Sequence, residues 1–281
     1  MKASSRASEG RKRPPDHRLG SDGDTAFVDG ALTPLSDARI PVTDEGLLRG
    51  DGVFEVMRLY DGVPFARQSH LERMANSAQN LRLELDIGDI ARDIDSLLAV
   101  AKPSDGLLRV VATRGGRRIV LIEPLPVPPA ALTLGYMTFA PVRVLDGIKS
   151  LSYAANMLAT RLARERGFDD ALLVTPHGRV LELPTASFFW VVDGGVRTPP
   201  LSDHVLDSIT RRIVIEVADG NEAITTRADL ESAHEAFVAS SVWEVIAVSR
   251  IEEHDLSARR PVTHAIAQKV RAHIEAELAG P

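Results

Sequence analysis

DGIKSLSYAANMLA, residues 146–159, places Lys149 ahead of a helical apolar pattern, and RVLEL, residues 179–183, sets Glu182 inside an otherwise apolar stretch. A lone lysine is ordinarily a solvated surface charge, and a lone strand glutamate ordinarily faces water. An amine and an in-strand carboxylate together point instead to a cofactor site. Period-two alternation in RVLEL puts Glu182 on one face with Val180, and Leu181 and Leu183 on the other. A carboxylate buried there needs a cationic or hydrogen-bonding partner, because burial unpaired costs several kcal/mol.

Working outward, the chain reads as an α+β protein. AFVDG followed by ALTPL predicts a hairpin around Asp29 and Gly30, and VFEVMRLYDGVPF (53–65) predicts two strands around Asp61 and Gly62. A helix is expected from about Ser69, a second from Ile87 to Ala101, then strands over 107–115 and 118–123. PLPVPPA (124–130) holds four prolines, which remove backbone donors and favour extended chain, so a domain boundary is placed there. A small α/β domain over 25–127 and a larger sheet-rich domain over 128–281 are the expected organisation. In the second, strands are expected at 132–139, 171–175, 179–183, 187–192 and 235–241, and helices at 154–167, 209–218 and 261–279. Residues 1–24 are rich in Arg, Lys, Ser, Gly and Pro and are expected to form a disordered tail.

Composition excludes several function classes. The 281 residues carry a formal net charge of −6 and no cysteine, which argues against a nucleic-acid or anionic-membrane surface and excludes disulfides and thiolate chemistry. The absence of a long apolar run or a secretory hydrophobic region gives a cytoplasmic, non-membrane expectation.

The sharper reading of Glu182 is a carboxylate that keeps a heteroaromatic nitrogen protonated, as the ring nitrogen of pyridoxal phosphate requires. A phosphate cup is available in LDSITRRIVIEVADG (206–220), where Asp207 or Ser208 caps a helix and leaves the amides of Ile209 and Thr210 at its positive end, beside the Thr210 hydroxyl. Ser240 and Ser241, closing EAFVASS, either add hydroxyls to that cup or form a turn. Arg73 in SHLERM supplies a permanent charge able to grip phosphate bidentately.

In order and spacing, GDGVFEVMRLYDGVPFARQSHLERM (50–74), TRG (113–115), IKSLSYAANMLA, VLELPTASFFWV (180–191), TPPL (198–201), DSITR (207–211) and EAFVASSVWEV (235–245) resemble the class IV pyridoxal-phosphate enzymes. Branched-chain aminotransferases, D-amino acid aminotransferases and aminodeoxychorismate lyases belong to that family. The resemblance implies the two-domain fold type IV and a homodimer. It implies that Lys149 binds the cofactor covalently and acts as the catalytic amine, that Glu182 partners the pyridine nitrogen, and that Arg73, Ile209, Thr210 and Ser241 hold the phosphate; Ser240 is placed with them as the neighbouring hydroxyl. Ser187 stands where relatives often have asparagine, and is placed with the cofactor-binding residues. Phe54 and Arg58 match substrate-pocket side chains, with Arg58, or alternatively Arg117 and Arg118, steering a substrate carboxylate. Leu183, Ser208 and Ala247 depart from the common pattern and bear on specificity. The implied reaction is amino transfer between an amino acid, of branched-chain or D-amino acid type, and a 2-keto acid. Aminodeoxychorismate lyase and a catalytically degenerate binding protein are the alternatives.

Overall fold

In the computed structural model, residues 25–280 are described; the expected N-terminal tail lies outside them. The first sheet opens on β1 (Thr25–Val28) and β2 (Ala31–Pro34), joined through Asp29 and Gly30 at φ 52° and 83°. After a single-turn helix α1 (Glu45–Arg49), β3 (Gly52–Tyr60) turns at Asp61 and Gly62, φ 48° and 83°, into β4 (Val63–Pro64). Both hairpins thus use the paired positive φ that lets a two-residue turn match strand twist. Helices α2 (Arg67–Leu81) and α3 (Ile87–Ala101) follow, then β5 (Gly106–Thr113) and β6 (Arg118–Glu123). The strand order is β2-β1-β6-β5-β3-β4, with every described neighbour antiparallel.

Period two sorts β3 by face. Met57 and Leu59 pack with Leu108 and Val110 of β5 against Leu71 and Met74 of α2 and Ile90, Ile94 and Leu97 of α3. Glu55 shares that fully buried face, while Phe54 and Val56 turn the other way, toward the junction with the second sheet.

The proline-rich segment leads into β7 (Leu132–Thr138), followed by α4 (Ala154–Glu165), β8 (Asp170–Val174), β9 (Ser187–Val192), β10 (Gly195–Thr198) and α5 (Ile209–Ala218). β11 (Asn221–Glu222), β12 (Glu235–Ser240), β13 (Glu244–Ile251), β14 (His254–Asp255) and α6 (Pro261–Ala279) complete the chain. The second sheet runs β11-β10-β9-β12-β13-β7-β8, with β14 added on β13. Both its faces are covered: Phe188 and Trp190 join Val238 and Val248 on one, and Phe189 and Val191 join Phe237 against Ile213, Ile266 and Val270 of α5 and α6 on the other. Burial on both faces is why SFFWVV is an unbroken apolar run.

One expected strand is corrected. Residues 179–183 form only isolated bridges, Val174 with Val180 and Arg179 with Thr226, although the Leu173 amide donates to the Glu182 carbonyl at 3.0 Å. Alternation fails there: Val180 and Leu183 enter the same core while Leu181 enters another. The chain bends through 184–186, beginning at a proline, to reach β9, which forces Leu183 off the face that strict alternation assigns it. β13 and α1 are elements that the sequence reading did not mark.

Candidate active site

Lys149 is held by its backbone between α2 and β3. Its amide donates to the Ser77 hydroxyl of α2 at 3.1 Å, and its carbonyl accepts from the Phe54 amide of β3 at 3.1 Å. The bridge between Val53 and Ser150 and the bond from the Leu151 amide to the Gly52 carbonyl, 2.9 Å, continue the seam. Gly52 is required by this approach: a Cβ there would lie 2.4 Å from the Ala112 carbonyl oxygen and 2.7 Å from Leu151.

The seam faces a cavity of about 560 Å³, which brings together Lys149, Arg73, Glu182, Phe54, Ser187, Ser240 and Ser241. Lys149 Nζ sits 4.3 Å from the centroid of the Phe54 ring, which stacks edge-on with Tyr153 at 5.2 Å. Burial lowers the Lys149 amine to about 8 against the pull of Glu55 and Glu182. Burial likewise raises the Glu182 carboxyl to about 7, although the Leu206 amide donates to its Oε1 at 2.9 Å and Lys149 favours its charge. Both groups therefore titrate near neutrality, the condition for exchanging protons cheaply.

Arg73 is fixed by a partner that sequence reasoning missed. Its Nε and Nη2 donate to the two carboxylate oxygens of Glu55, both at 2.7 Å, and its Nη1 donates to the Asp207 carbonyl at 3.2 Å. His70, one turn back on α2, shares Glu55 at 2.8 Å. Burial pushes the Glu55 carboxyl up, but the hydrogen bonds and charges of Arg73 and His70 prevail and hold it at about 2. Burial depresses the His70 imidazole against the attraction of Glu55. Of the five guanidinium N–H donors three are committed, which leaves two uncommitted on a side chain that lines the cavity.

The contact with Asp207 carries Arg73 to the start of α5. Ser208 is the N-cap, its hydroxyl accepting from the Arg211 amide at 3.3 Å, and it lines the cavity. Ile209 and Thr210 stand behind it, buried, in the first turn, where amides precede any intrahelical acceptor. Two buried polar atoms on the cavity-lining residues, Ser187 Oγ and Trp243 Nε1, have no protein partner among the described residues. A permanent cation beside a helix start, a carboxyl poised between charge states, an amine and spare donors fit a phosphorylated, nitrogen-containing aromatic cofactor.

Three expected substrate residues are not brought to this cavity. Arg58 is turned under the 240–243 turn, donating to Glu244 at 2.8 Å. Arg117 pairs with Asp29, and Arg118 pairs with Asp93 at 3.0 Å and Asp89 at 3.1 Å, because the β5–β6 turn points them at the first hairpin and α3. Besides Arg73, the cavity is lined by Arg109 of β5, held by Glu123 at 2.9 Å. The signal for it was present: LLRVVAT sets one charge in an apolar strand, the pattern that singled out Glu182.

Comparison with known proteins places the chain in a family. The family model described as amino-transferase class IV matches residues 52–251. The chain is 32% identical over 252 residues to a putative branched-chain-amino-acid aminotransferase of Methanocaldococcus jannaschii, covering 80% of this chain and 87% of that protein. It is also 32% identical over 254 residues to an aminodeoxychorismate lyase of Bacillus subtilis, covering 81% and 86%. A hypothetical aminotransferase from Mycobacterium tuberculosis, solved with α-ketoglutarate and PMP, superposes with a TM-score of 0.83 at 25% identity over 90% of this chain and 99% of that one, and has also been solved in a PLP-bound form. With its match to the family model and to two relatives over four-fifths of its length, this chain belongs to the class IV aminotransferases, PLP-dependent enzymes of fold type IV.

Proposed function

We propose that the Lys149 cavity carries amino transfer between an amino acid, of branched-chain or D-amino acid type, and a 2-keto acid. The observation that supports this most is the convergence of Lys149, Glu182 and Arg73 on one cavity from three separate segments. Bound there, pyridoxal phosphate supplies an electron sink for the carbanion formed at the substrate Cα. Arg73, the α5 start with Ile209 and Thr210, and the hydroxyls of Ser208, Ser240 and Ser241 would hold the phosphate. Glu182 would face the ring nitrogen, and Ser187 would add a donor beside it. Lys149 Nζ, lowered to about 8 by burial, would take the substrate Cα proton near neutral pH and deliver it to the cofactor carbon that receives the amino group, leaving Cα as the keto carbon. Phe54 and Tyr153 shield that amine from water. Arg109 receives a substrate carboxylate, its guanidinium steadied by Glu123.

The equal identity to the lyase supports a second reading, in which the same cavity releases pyruvate from aminodeoxychorismate. The cofactor-loaded enzyme, given a panel of L- and D-amino donors with 2-oxoglutarate or pyruvate, separates the two. Amino transfer from at least one donor is expected. A loaded protein inert to every donor, yet releasing pyruvate from aminodeoxychorismate, would transfer the assignment to the lyase.

We place the enzyme in the cytoplasm as a homodimer of two-domain chains divided near residue 127. Supporting the dimer, Leu47 and Leu48 of α1 and Leu158 and Leu162 of α4 leave apolar side chains exposed. Among the described residues, no helix is long and apolar enough to cross a membrane. Light scattering on the holoenzyme tests the mass.

A further inference from the structure

We propose that Arg58, Tyr60 and Arg271 act through Glu244 as a clamp that positions the 240–243 turn against the cofactor phosphate. This inference rests on the placing of that turn at the phosphate. Four consecutive residues, Ser240, Ser241, Val242 and Trp243, line the cavity, and Glu244 follows them with φ 61°. That left-handed conformation is unfavourable for a residue with a Cβ and persists only where its surroundings enforce it. Here the enforcement is visible: Glu244 Oε1 accepts from Arg58 Nη1 at 2.8 Å and from the Tyr60 hydroxyl at 2.8 Å, and pairs with Arg271 Nη2 at 2.7 Å. The Arg58 and Arg271 guanidiniums lie 4.6 and 5.5 Å from the Tyr60 ring centroid. Arg58 Nη1 also reaches the Val242 carbonyl at 3.4 Å, so one guanidinium holds the turn at its backbone and at its anchoring side chain.

The partners come from three elements: β3 of the first sheet, β13 of the second, and α6. On β3, Phe54 and Val56 form cavity wall, and Arg58 and Tyr60 continue the same face under the turn. The clamp therefore registers the wall beside Lys149 with the hydroxyls of Ser240 and Ser241. These are positioning residues, since none of the four lines the cavity.

The test measures pyridoxal phosphate affinity of the apoprotein by fluorescence quenching and visible circular dichroism, with KM, kcat and Tm for each variant. Glu244→Gln is expected to weaken cofactor affinity roughly 10-fold or more, the scale of a charge-assisted hydrogen bond. Arg271→Gln, on a half-exposed helix face outside the cavity lining, is expected to weaken it roughly 2- to 5-fold. Tyr60→Phe should act in the same direction, and these two carry the test if Glu244→Gln fails to fold. Lowered Tm with cofactor affinity and KM unchanged in all three variants overturns the clamp. Ser241→Ala separates the causes: if it weakens affinity while the clamp variants do not, only the clamp falls; if it too is silent, the turn's place at the phosphate falls with it.

Discussion

The main-chain amide of Lys149 donates to the Ser77 hydroxyl at 3.1 Å, so a buried side chain of α2 sets the backbone position from which the Lys149 amine enters the cavity. Arg73 lies one turn earlier on the same helix, so α2 positions the Lys149 backbone and the guanidinium proposed for the phosphate together. Ser77→Ala leaves a buried N–H unpaired, at a cost of about 1–3 kcal/mol. Because small misplacements of a reacting group are costly, kcat should fall by roughly 10- to 100-fold with KM less affected. Stopped-flow turnover together with a chemical melt checks both halves.

Removing the amine itself separates binding from chemistry. Lys149→Ala is expected to cut turnover by roughly 10²- to 10⁴-fold, the contribution typical of a positioned general base, and to abolish the visible absorbance of the purified enzyme. Arg73, Ser240 and Ser241 remain, so added pyridoxal phosphate should still quench fluorescence. A variant that stays yellow and active removes Lys149 from the mechanism.

Acid stability should report the buried network of Glu55, His70 and Arg73. The Glu55 carboxyl moves from 4.5 to about 2 on folding, so its contribution is fully present above 4.5 and is lost as pH falls from there through 2. Glu55→Gln should therefore flatten the acid limb of urea unfolding in that window. At pH 7 it should cost about 3–5 kcal/mol, because Arg73 is left without its carboxylate. Glu182 runs the other way in the apoprotein: with its carboxyl raised from 4.5 to about 7, stability falls as pH rises across that interval. Glu182→Gln should remove that slope, readable from denaturation midpoints between pH 4.5 and 7.

The hairpins at Asp29–Gly30 and Asp61–Gly62 and the capped start of α5 were legible because each depends on neighbours in sequence. The roles expected for Lys149, Glu182 and Arg73 came from spacing and family order, and the cavity brings those three residues together. GVFEVM shows the same lone charge in an apolar strand, but the partners of Glu55 were not legible, since only the folding of α2 over it brings His70 and Arg73 within reach. The ion pairs that hold Arg58, Arg117 and Arg118 away from the cavity were hidden for the same reason: their partners lie 186, 88 and 25 positions away along the chain. Local pattern carries no information on such pairings, whereas burial of a charge in an apolar strand marks that a partner must exist.

That rule leads to Arg109. Its guanidinium lines the cavity and lies 5.8 Å from the Phe54 ring centroid, with Glu123 holding one side of the fork. A substrate carboxylate met there gains a charge-assisted contact of about 1.5–3 kcal/mol, which Arg109→Gln forfeits. If the contact is equal in ground and transition states, KM should rise roughly 10- to 100-fold while kcat holds. Glu123→Gln should produce a smaller rise, because the arginine keeps its charge and loses only its brace. Arg117→Gln and Arg118→Gln, whose partners lie on the first hairpin and α3, should leave KM unchanged. Steady-state kinetics of the four variants with one amino donor decide the assignment, and a KM that moves with Arg117 or Arg118 but not with Arg109 reverses it.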